Sequence, residues 1–261
     1  MNRREFTLAA GAAGLGALVS EAETRAEDVK TMGAAPTFVL LVYPKMVLQD
    51  LVGPLTVFNL TMGKTHLVWK DKSPVATDVG IAVTPTHTFD DCPRTADVLF
   101  VPGGLQGTTS LLEDEATLAF LRTAAEGARY VSSVCTGSLL LGAAGLLRGK
   151  KATSHWYVKN LLPLFGAIPT DGRVVEDRNV ITAGGVTAGL DFGLTISARL
   201  RGEEWAKRSQ LTLEYDPHPP FDGGTPEKAG EEITRDILKI RSPALLAARE
   251  AAQRAAARLR G

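Results

Sequence analysis

Few residues in this chain have both the type and the setting for covalent chemistry, and Cys135 leads them. Tyr130-Val131-Ser132-Ser133-Val134 is a short β-favouring run that ends at this cysteine. Thr136, Gly137 and Ser138 follow, small enough for a helix to pass close over the strand, and the helix-like run Leu139 to Leu147 comes next. Strand, sharp turn and helix make the setting of a nucleophile elbow, in which the turn lifts one side chain above the sheet. A cysteine there sits at a helix N-terminus, where unpaired N–H groups and the positive dipole end favour the thiolate. The same residue also fits a packed core cysteine. This stretch alone leaves the two readings level.

A thiolate nucleophile needs a lowered pKa, a neighbour that handles protons, and donors for the charge that develops on the substrate. For the neighbour, Asp50 is the best-placed carboxylate, because it follows the loop after the first strand. Its competing role is N-cap of a helix opening at Leu51, which is common for Asp and is favoured without wider context. For the donors, the backbone N–H groups of Gly104 and Thr136 are candidates, since glycine lets a backbone approach a ligand closely. His155, in Thr153-Ser154-His155-Trp156, reads more readily as a structural histidine than as a base. His218, between two prolines, reads as a loop residue, and Cys92, in Asp91-Cys92-Pro93, as packing near the start of a strand.

The elements that must position these groups can be read from hydrophobic runs. Phe38 to Tyr43 and Asp97 to Val101 are apolar stretches of the kind found in strands covered on both faces of a parallel sheet. Thr65 to Lys70 reads as another strand, Ile81 to Thr84 as a β-excursion and Asn179 to Thr182 as a short strand. Helices are expected from Leu51 to near Gly63, over Asp114–Glu126, Trp156–Phe165 and Ala188–Arg201, and in the Ala/Arg/Leu run Ala244–Arg260. Leu211 to Thr225 reads as an irregular loop. Strands alternating with helices predict an α/β domain with a mostly parallel sheet, whose ligands bind outside the carboxyl ends of the strands. Asp50, Gly103-Gly104 and Cys135 all belong to such ends.

The first two dozen residues look like an address. Arg3-Arg4-Glu5-Phe6 precedes a small, mildly apolar run from Thr7 to Val19, and Ser20-Glu21-Ala22 offers a cleavage site. A basic start, a short apolar stretch and small residues at its exit describe a signal peptide, here of the twin-arginine type over residues 1–26. Export would place the protein in the periplasm or outside the cell; without a working signal it stays in the cytoplasm. The run is too short and too rich in Gly and Ala to span a membrane well. A polar linker leads to Thr37, where the fold begins.

Bulk composition narrows the classes. The chain has 261 residues, 44% of them hydrophobic, with 29 basic and 29 acidic side chains. Zero formal net charge gives no electrostatic reason to expect nucleic acid or an acidic membrane as partner. Two cysteines make no disulfide framework, and the four scattered histidines match no metal-ligand spacing.

Taken in order, Gln49-Asp50-Leu51-Val52-Gly53-Pro54, Val101-Pro102-Gly103-Gly104, Ser132 to Leu139, Ala152 to Trp156, Gly184-Gly185-Val186-Thr187-Ala188-Gly189 and Leu213-Glu214-Tyr215 resemble the ThiJ/PfpI superfamily, and within it the isonitrile hydratase subgroup. The resemblance runs from about Thr37 to Thr225, leaving 226–261 as a C-terminal helical extension. It implies a flavodoxin-like three-layer sandwich with a nucleophile elbow, working as a homodimer without cofactor or metal. It implies that Cys135 attacks the terminal carbon of R–N≡C to give a thioimidate that water releases as an N-substituted formamide. Asp50 handles the protons in that scheme, Thr136 is also needed, and Gly103, Gly104 and Val186 are the oxyanion- or substrate-binding positions.

Departures from the pattern are local. Val52 stands where these relatives usually carry Thr, and Lys45-Met46-Val47 alters the approach to Asp50. An export signal is unexpected on such an enzyme, and outside the cytoplasm a Cys92–Cys135 bridge would remove the nucleophile. Rival readings are another ThiJ/PfpI activity, such as an amidase, peptidase, glyoxalase or deglycase, or a sensor whose Cys135 is oxidised. Peptidase relatives typically carry His after the nucleophile, where this chain has Thr136. The tail is too short for the helix-turn-helix module of the superfamily's regulators. The enzyme reading requires a reachable sulfur close to the Asp50 acid.

Overall fold

Apolar runs fold into buried strands here because helices cover both faces of one sheet. The computed structural model describes residues 34–260, and the signal-like segment lies outside them. The chain enters through β1 (Thr37–Leu41), turns into α1 (Leu48–Leu60) and returns as β2 (Lys64–Trp69). Short strands β3 (Val75–Ala76), β4 (Ala82–Val83) and β5 (His87–Thr88) precede β6 (Ala96–Val101), α2 (Leu105–Leu111) and α3 (Glu115–Glu126). The elbow strand β7 (Ala128–Val134) leads into α4 (Gly137–Ala143). Then come β8 (Lys151–Ala152), a 3-10 segment (Lys159–Phe165), β9 (Ile168–Pro169), β10 (Val174–Asp177) and β11 (Val180–Ala183). Helices α5 (Ala188–Arg201), α6 (Glu203–Thr212), α7 (Pro226–Ala229) and α8 (Glu231–Arg258) complete the fold.

The main sheet runs β10-β11-β7-β6-β1-β2-β5, parallel throughout except for the β10–β11 hairpin at one edge. Helices α1, α5 and α6 pack on one side and α2, α3, α4 and α8 on the other, giving the flavodoxin-like sandwich. Register aligns the strand exits: Leu40 pairs with Phe100, Val101 with Ser133, and Val134 with Ala183. One edge of the sheet therefore collects the turns after β1, β6, β7 and β11.

Aromatic packing fixes the helices over that edge. Phe38 stacks on Phe58 at 4.3 Å and Phe100 on Phe192 at 5.3 Å, locking β1 and β6 to α1 and α5. Burying each such ring contributes roughly 1.5–3 kcal/mol. Helices α1 and α5 cross where α5 has glycine: a β-carbon on Gly193 would lie 2.8 Å from Val57 Cβ.

Several elements differ from the sequence reading. The C-terminal helix begins at Glu231, a good dozen residues before the Ala-rich run, and continues through Pro243. Its Ala248, Ala251, Ala252, Ala255 and Ala256 are buried against the domain, the i, i+3, i+4 pattern of a packed face. Part of the expected loop at Leu211 belongs to α6, whose amphipathic pattern is weak. The expected helix at Trp156 is a turn followed by the 3-10 segment, where Pro163 supplies no N–H.

Candidate active site

The turn after β7 is strained at the residue expected to do chemistry. Cys135 has φ 58°, a left-handed conformation that costs a non-glycine residue about 1–3 kcal/mol. Hydrogen bonds hold it there. Its N–H donates to Gly184 O at 2.8 Å and to Ala183 O at 3.1 Å. Its carbonyl accepts from Ser154 Oγ at 3.0 Å and Ser138 Oγ at 3.3 Å. Gly137 leaves the room this needs, since a β-carbon there would lie 2.3 Å from Val101 O. The turn after β11 is strained as well, with Val186 at φ 24°.

Asp50 does not cap its helix. Val47 takes the N-cap position without a side-chain bond, and Asp50 lies in the first turn of α1, fully buried. Its Oδ2 accepts from Gly103 N at 3.0 Å, while Oδ1 is buried with no partner among the described residues. A β-carbon on Gly103 would fall 2.6 Å from Thr136 N, 2.7 Å from Asp50 Oδ2 and 2.7 Å from Cys135 Cβ. The elbow and the first turn of α1 thus close on the turn after β6, and only glycine fits between them.

Cys135 and Asp50 shift each other's ionisation. Burial first, then the Asp50 charge, pushes the thiol well above its usual range, against hydrogen bonding from the Val186 and Thr136 N–H groups. The expected dipole-stabilised thiolate is therefore not the resting state: a helix of two turns cannot offset burial beside a carboxyl. Burial likewise lifts Asp50 to about 7, although hydrogen bonds from Cys135 and Gly103 favour its charged form. The resting pair is a thiol beside a carboxyl that titrates near neutrality.

The glycine amides proposed as oxyanion donors are already engaged. Gly103 donates to Asp50, and Gly104 donates to Thr136 Oγ1 at 2.8 Å. Thr136 Oγ1 also lies 2.8 Å from Thr108 Oγ1, which lies 3.1 Å from Tyr43 Oη. Tyr43 spends its single proton on Pro102 O at 2.7 Å. Thr108 must then donate to Tyr43, and Thr136 to Thr108. The Thr136 hydroxyl proton points along this chain, and its role here is to tie the elbow to the Gly103-Gly104 turn.

Cys135 is 2% exposed, so the reachable sulfur that the enzyme reading calls for is not open to solvent in this structure. Beside the elbow lies a cleft of about 730 Å³ walled by His155, Trp156, Arg173, Gly185, Val186 and Thr225 among others. Its size falls within the range of small-molecule sites, and Val186 is shared by the cleft wall and the sulfur's surroundings. His155 packs over Gly185, where a β-carbon would lie 2.6 Å from its Cδ2. Burial, and then the Arg241 charge, hold its pKa down at about 4, so the imidazole is neutral.

Other candidates stay apart from this centre. Cys92 is free and half-buried, its Sγ 3.8 Å from Phe89 O, at the entry end of β6. His66 and His87 meet at 4.6 Å on the sheet edge formed by β2 and β5, and His218 lies in the exposed loop. Among the described residues no three His, Cys, Asp or Glu side chains are grouped to hold a metal. Sequence reasoning missed Tyr43, Thr108 and Ser154. Tyr43 could have been found, since it closes the first apolar run; Thr108 lies in a short helix that no pattern announces.

A cysteine on a strained turn, paired with a buried acid at the exits of a parallel sheet, defines the class: the chain belongs to the DJ-1/PfpI family, whose sequence profile matches residues 36–199. Within it the chain is similar to the isonitrile hydratase of Pseudomonas putida, 50% identical over 220 residues that span 84% of this chain and 96% of that one. The crystal structure of a ThiJ/PfpI family protein from Pseudomonas syringae superimposes with TM-score 0.82 and 47% identity, covering 85% of this chain and 92% of that one. The HTH-type transcriptional regulator GbdR of Pseudomonas aeruginosa is 31% identical over 163 residues, 60% of this chain and 44% of the regulator.

Proposed function

We propose that the protein hydrates isonitriles to N-substituted formamides, with Cys135 as nucleophile and Asp50 as proton carrier. The observation that carries this reading is their juxtaposition across Gly103, in a chain half identical to an isonitrile hydratase. An isonitrile carbon accepts a proton and a nucleophile on the same atom. Protonated Asp50 gives its proton to that carbon, the sulfur bonds to it, and the thiol proton returns to Asp50. The product is the thioimidate Cys135-S–CH=N–R, with every proton accounted for. Water then adds across C=N, and collapse of the adduct releases the thiol and R–NH–CHO.

The neutral resting thiol suits this cycle, because the acid and the sulfur exchange one proton without a free thiolate. It argues against an oxidation sensor, whose cysteine works through an exposed, low-pKa thiolate. The cleft beside Val186 takes the R group. We further assign the twin-arginine segment to export, and the unpartnered face carrying Ile233, Ile237 and Ile240 to a homodimer contact. Those side chains are 55%, 37% and 79% exposed and share one side of α8. Cyclohexyl isonitrile incubated with the protein should yield its formamide by NMR, and Cys135→Ala and Asp50→Asn should each abolish that yield. Undiminished yield from both variants would remove the mechanism.

A further inference from the structure

We propose that Asp78 is a positioning residue for the acid Asp50: it caps α1 from a separate turn, and its charge opposes ionisation of the carboxyl in the same first turn. In the isonitrile reading above, on which this rests, Asp50 must hold a proton before it can give one.

Helix α1 opens without a cap of its own. Val47 at the N-cap position makes no side-chain bond, and Asp50 accepts from Gly103 N instead. Asp78 supplies the missing acceptor. Its Oδ1 accepts from Leu48 N at 2.9 Å, satisfying one of the N–H groups that a helix start leaves without a partner. The turn that carries Asp78 is held in place. β3 and β4 pair as a hairpin, and the buried Thr77 donates to Ile81 O from its N–H at 3.0 Å and its Oγ1 at 2.7 Å. Backbone bonds then fix the hairpin to the loop after β1: Asp78 N donates to Met46 O and Lys45 N to Ala76 O, both at 2.9 Å. Lys45 is held at φ 63° in that loop, and Val47 N donates to Gly103 O at 2.8 Å. The Lys45-Met46-Val47 approach, distinctive in the sequence, therefore links Asp78, α1 and the Gly103 turn that holds Asp50.

Two carboxyls share the positive end of one helix. Left alone, that end favours an ionised Asp50. Asp78 already places a negative charge there, so a second one is harder to form. Burial is the main force that keeps the proton on Asp50; hydrogen bonds from Cys135 and Gly103 act against it, and the Asp78 charge adds to it. Burial also keeps the Cys135 thiol of the elbow, the Tyr43 phenol at the end of β1 and the Tyr157 phenol protonated, so these neighbours are neutral. Lys45 carries an exposed cation on the loop itself. On α5, the helix packed against α1, Asp191 is ion-paired with Arg173 at 2.5 Å.

Two substitutions separate cap from charge. Asp78→Asn keeps an acceptor for Leu48 N and removes the charge, whereas Asp78→Ala removes both. The Asp50 titration is read without substrate by carbon NMR of full-length protein labelled at its aspartate carboxyls, with Asp50→Asn assigning the signal. Both Asp78 variants should titrate about half a pH unit below wild type at low ionic strength, and nearer to it in concentrated salt, because an exposed charge is screened. In kcat/KM on cyclohexyl isonitrile the same shift becomes about a threefold loss above the midpoint and none at pH 5. Asp78→Ala should also melt below Asp78→Asn, having lost the cap. An Asp50 midpoint in Asp78→Asn equal to that of wild type would overturn the proposal and leave Asp78 a cap alone. A midpoint that moves as expected, in a wild type and variants that make no formamide, would refute the isonitrile reading and leave the assignment of Asp78 standing.

Discussion

At the residue scale, the buried Asp50 carboxyl beside the Cys135 sulfur ties stability, and the proposed activity, to pH. Asp50 holds its proton up to about 7 in the fold, whereas an unfolded aspartate releases it near 4. The native state therefore binds more protons between these values, and stability falls as pH rises through that window. Below it the penalty is absent. His155, held at about 4, acts in the opposite sense, since the unfolded chain takes up its proton first as pH falls below about 6.5. Asp50→Asn keeps His155, so melting curves of the two proteins at pH 5 and pH 8 isolate the aspartate. The variant should gain stability relative to wild type at pH 8 and lose that advantage at pH 5. In the wild type, kcat/KM should fall as pH rises through about 7, because the free protein's acid is then ionised.

Residue roles were only partly legible. Cys135 stands out because a β-favouring run ends at it and small residues follow. Asp50 was ambiguous, since a capping aspartate and a buried acid look alike one turn into a helix. The Tyr43–Thr108–Thr136 chain was not legible at all: its partners are 65 and 28 residues apart in sequence, and nothing local joins them. The thiol's direction of shift was misread for a related reason, because burial is a property of the assembled site.

Elements set the distance between these groups. Asp50 rides on α1, and Val186 opens the turn into α5, so the crossing of the two helices determines how the acid meets the sulfur's surroundings. Gly189 and Gly193 make that crossing close: β-carbons there would lie 3.1 Å from Pro54 Cδ and 2.8 Å from Val57 Cβ. Gly193→Ala should cost about 1–3 kcal/mol of stability by forcing the helices apart, and should lower turnover beyond what unfolding explains. Denaturant melts alongside kinetics on the folded fraction check this. A variant of unchanged stability and rate would show that the crossing tolerates the extra atom. The strong strands and α3 were readable from apolar runs and periodicity; Asp114, taken as the first residue of that helix, is in the structure its cap, its carboxylate accepting from Thr117 N at 2.9 Å. β10 escaped notice as a short, polar antiparallel edge, and the first half of α8 as a helix with little buried surface.

At the scale of the molecule, the C-terminal helix joins the domain rather than trailing from it. Its alanine face packs on α2 and α4, Arg254 and Arg258 both pair with Glu113 at 2.9 and 3.0 Å, and Arg241 lies over the Tyr157 ring, which packs on His155. Its first half leaves isoleucines uncovered, where light scattering should report a dimer that Ile237→Glu weakens; a monomeric wild type would end that assignment. Export is checked by the N-terminus of secreted protein, which should begin after the Ser20-Glu21-Ala22 stretch; an intact Met1 in cytoplasmic protein would refute it. Covalent capture decides whether Cys135 is the nucleophile. Wild-type protein quenched within the first turnover of p-nitrophenyl isonitrile and mapped by peptide mass should carry one isonitrile on the Cys135 peptide. Formamide release by Cys135→Ala at the wild-type rate, or an adduct found on Cys92 instead, would contradict it.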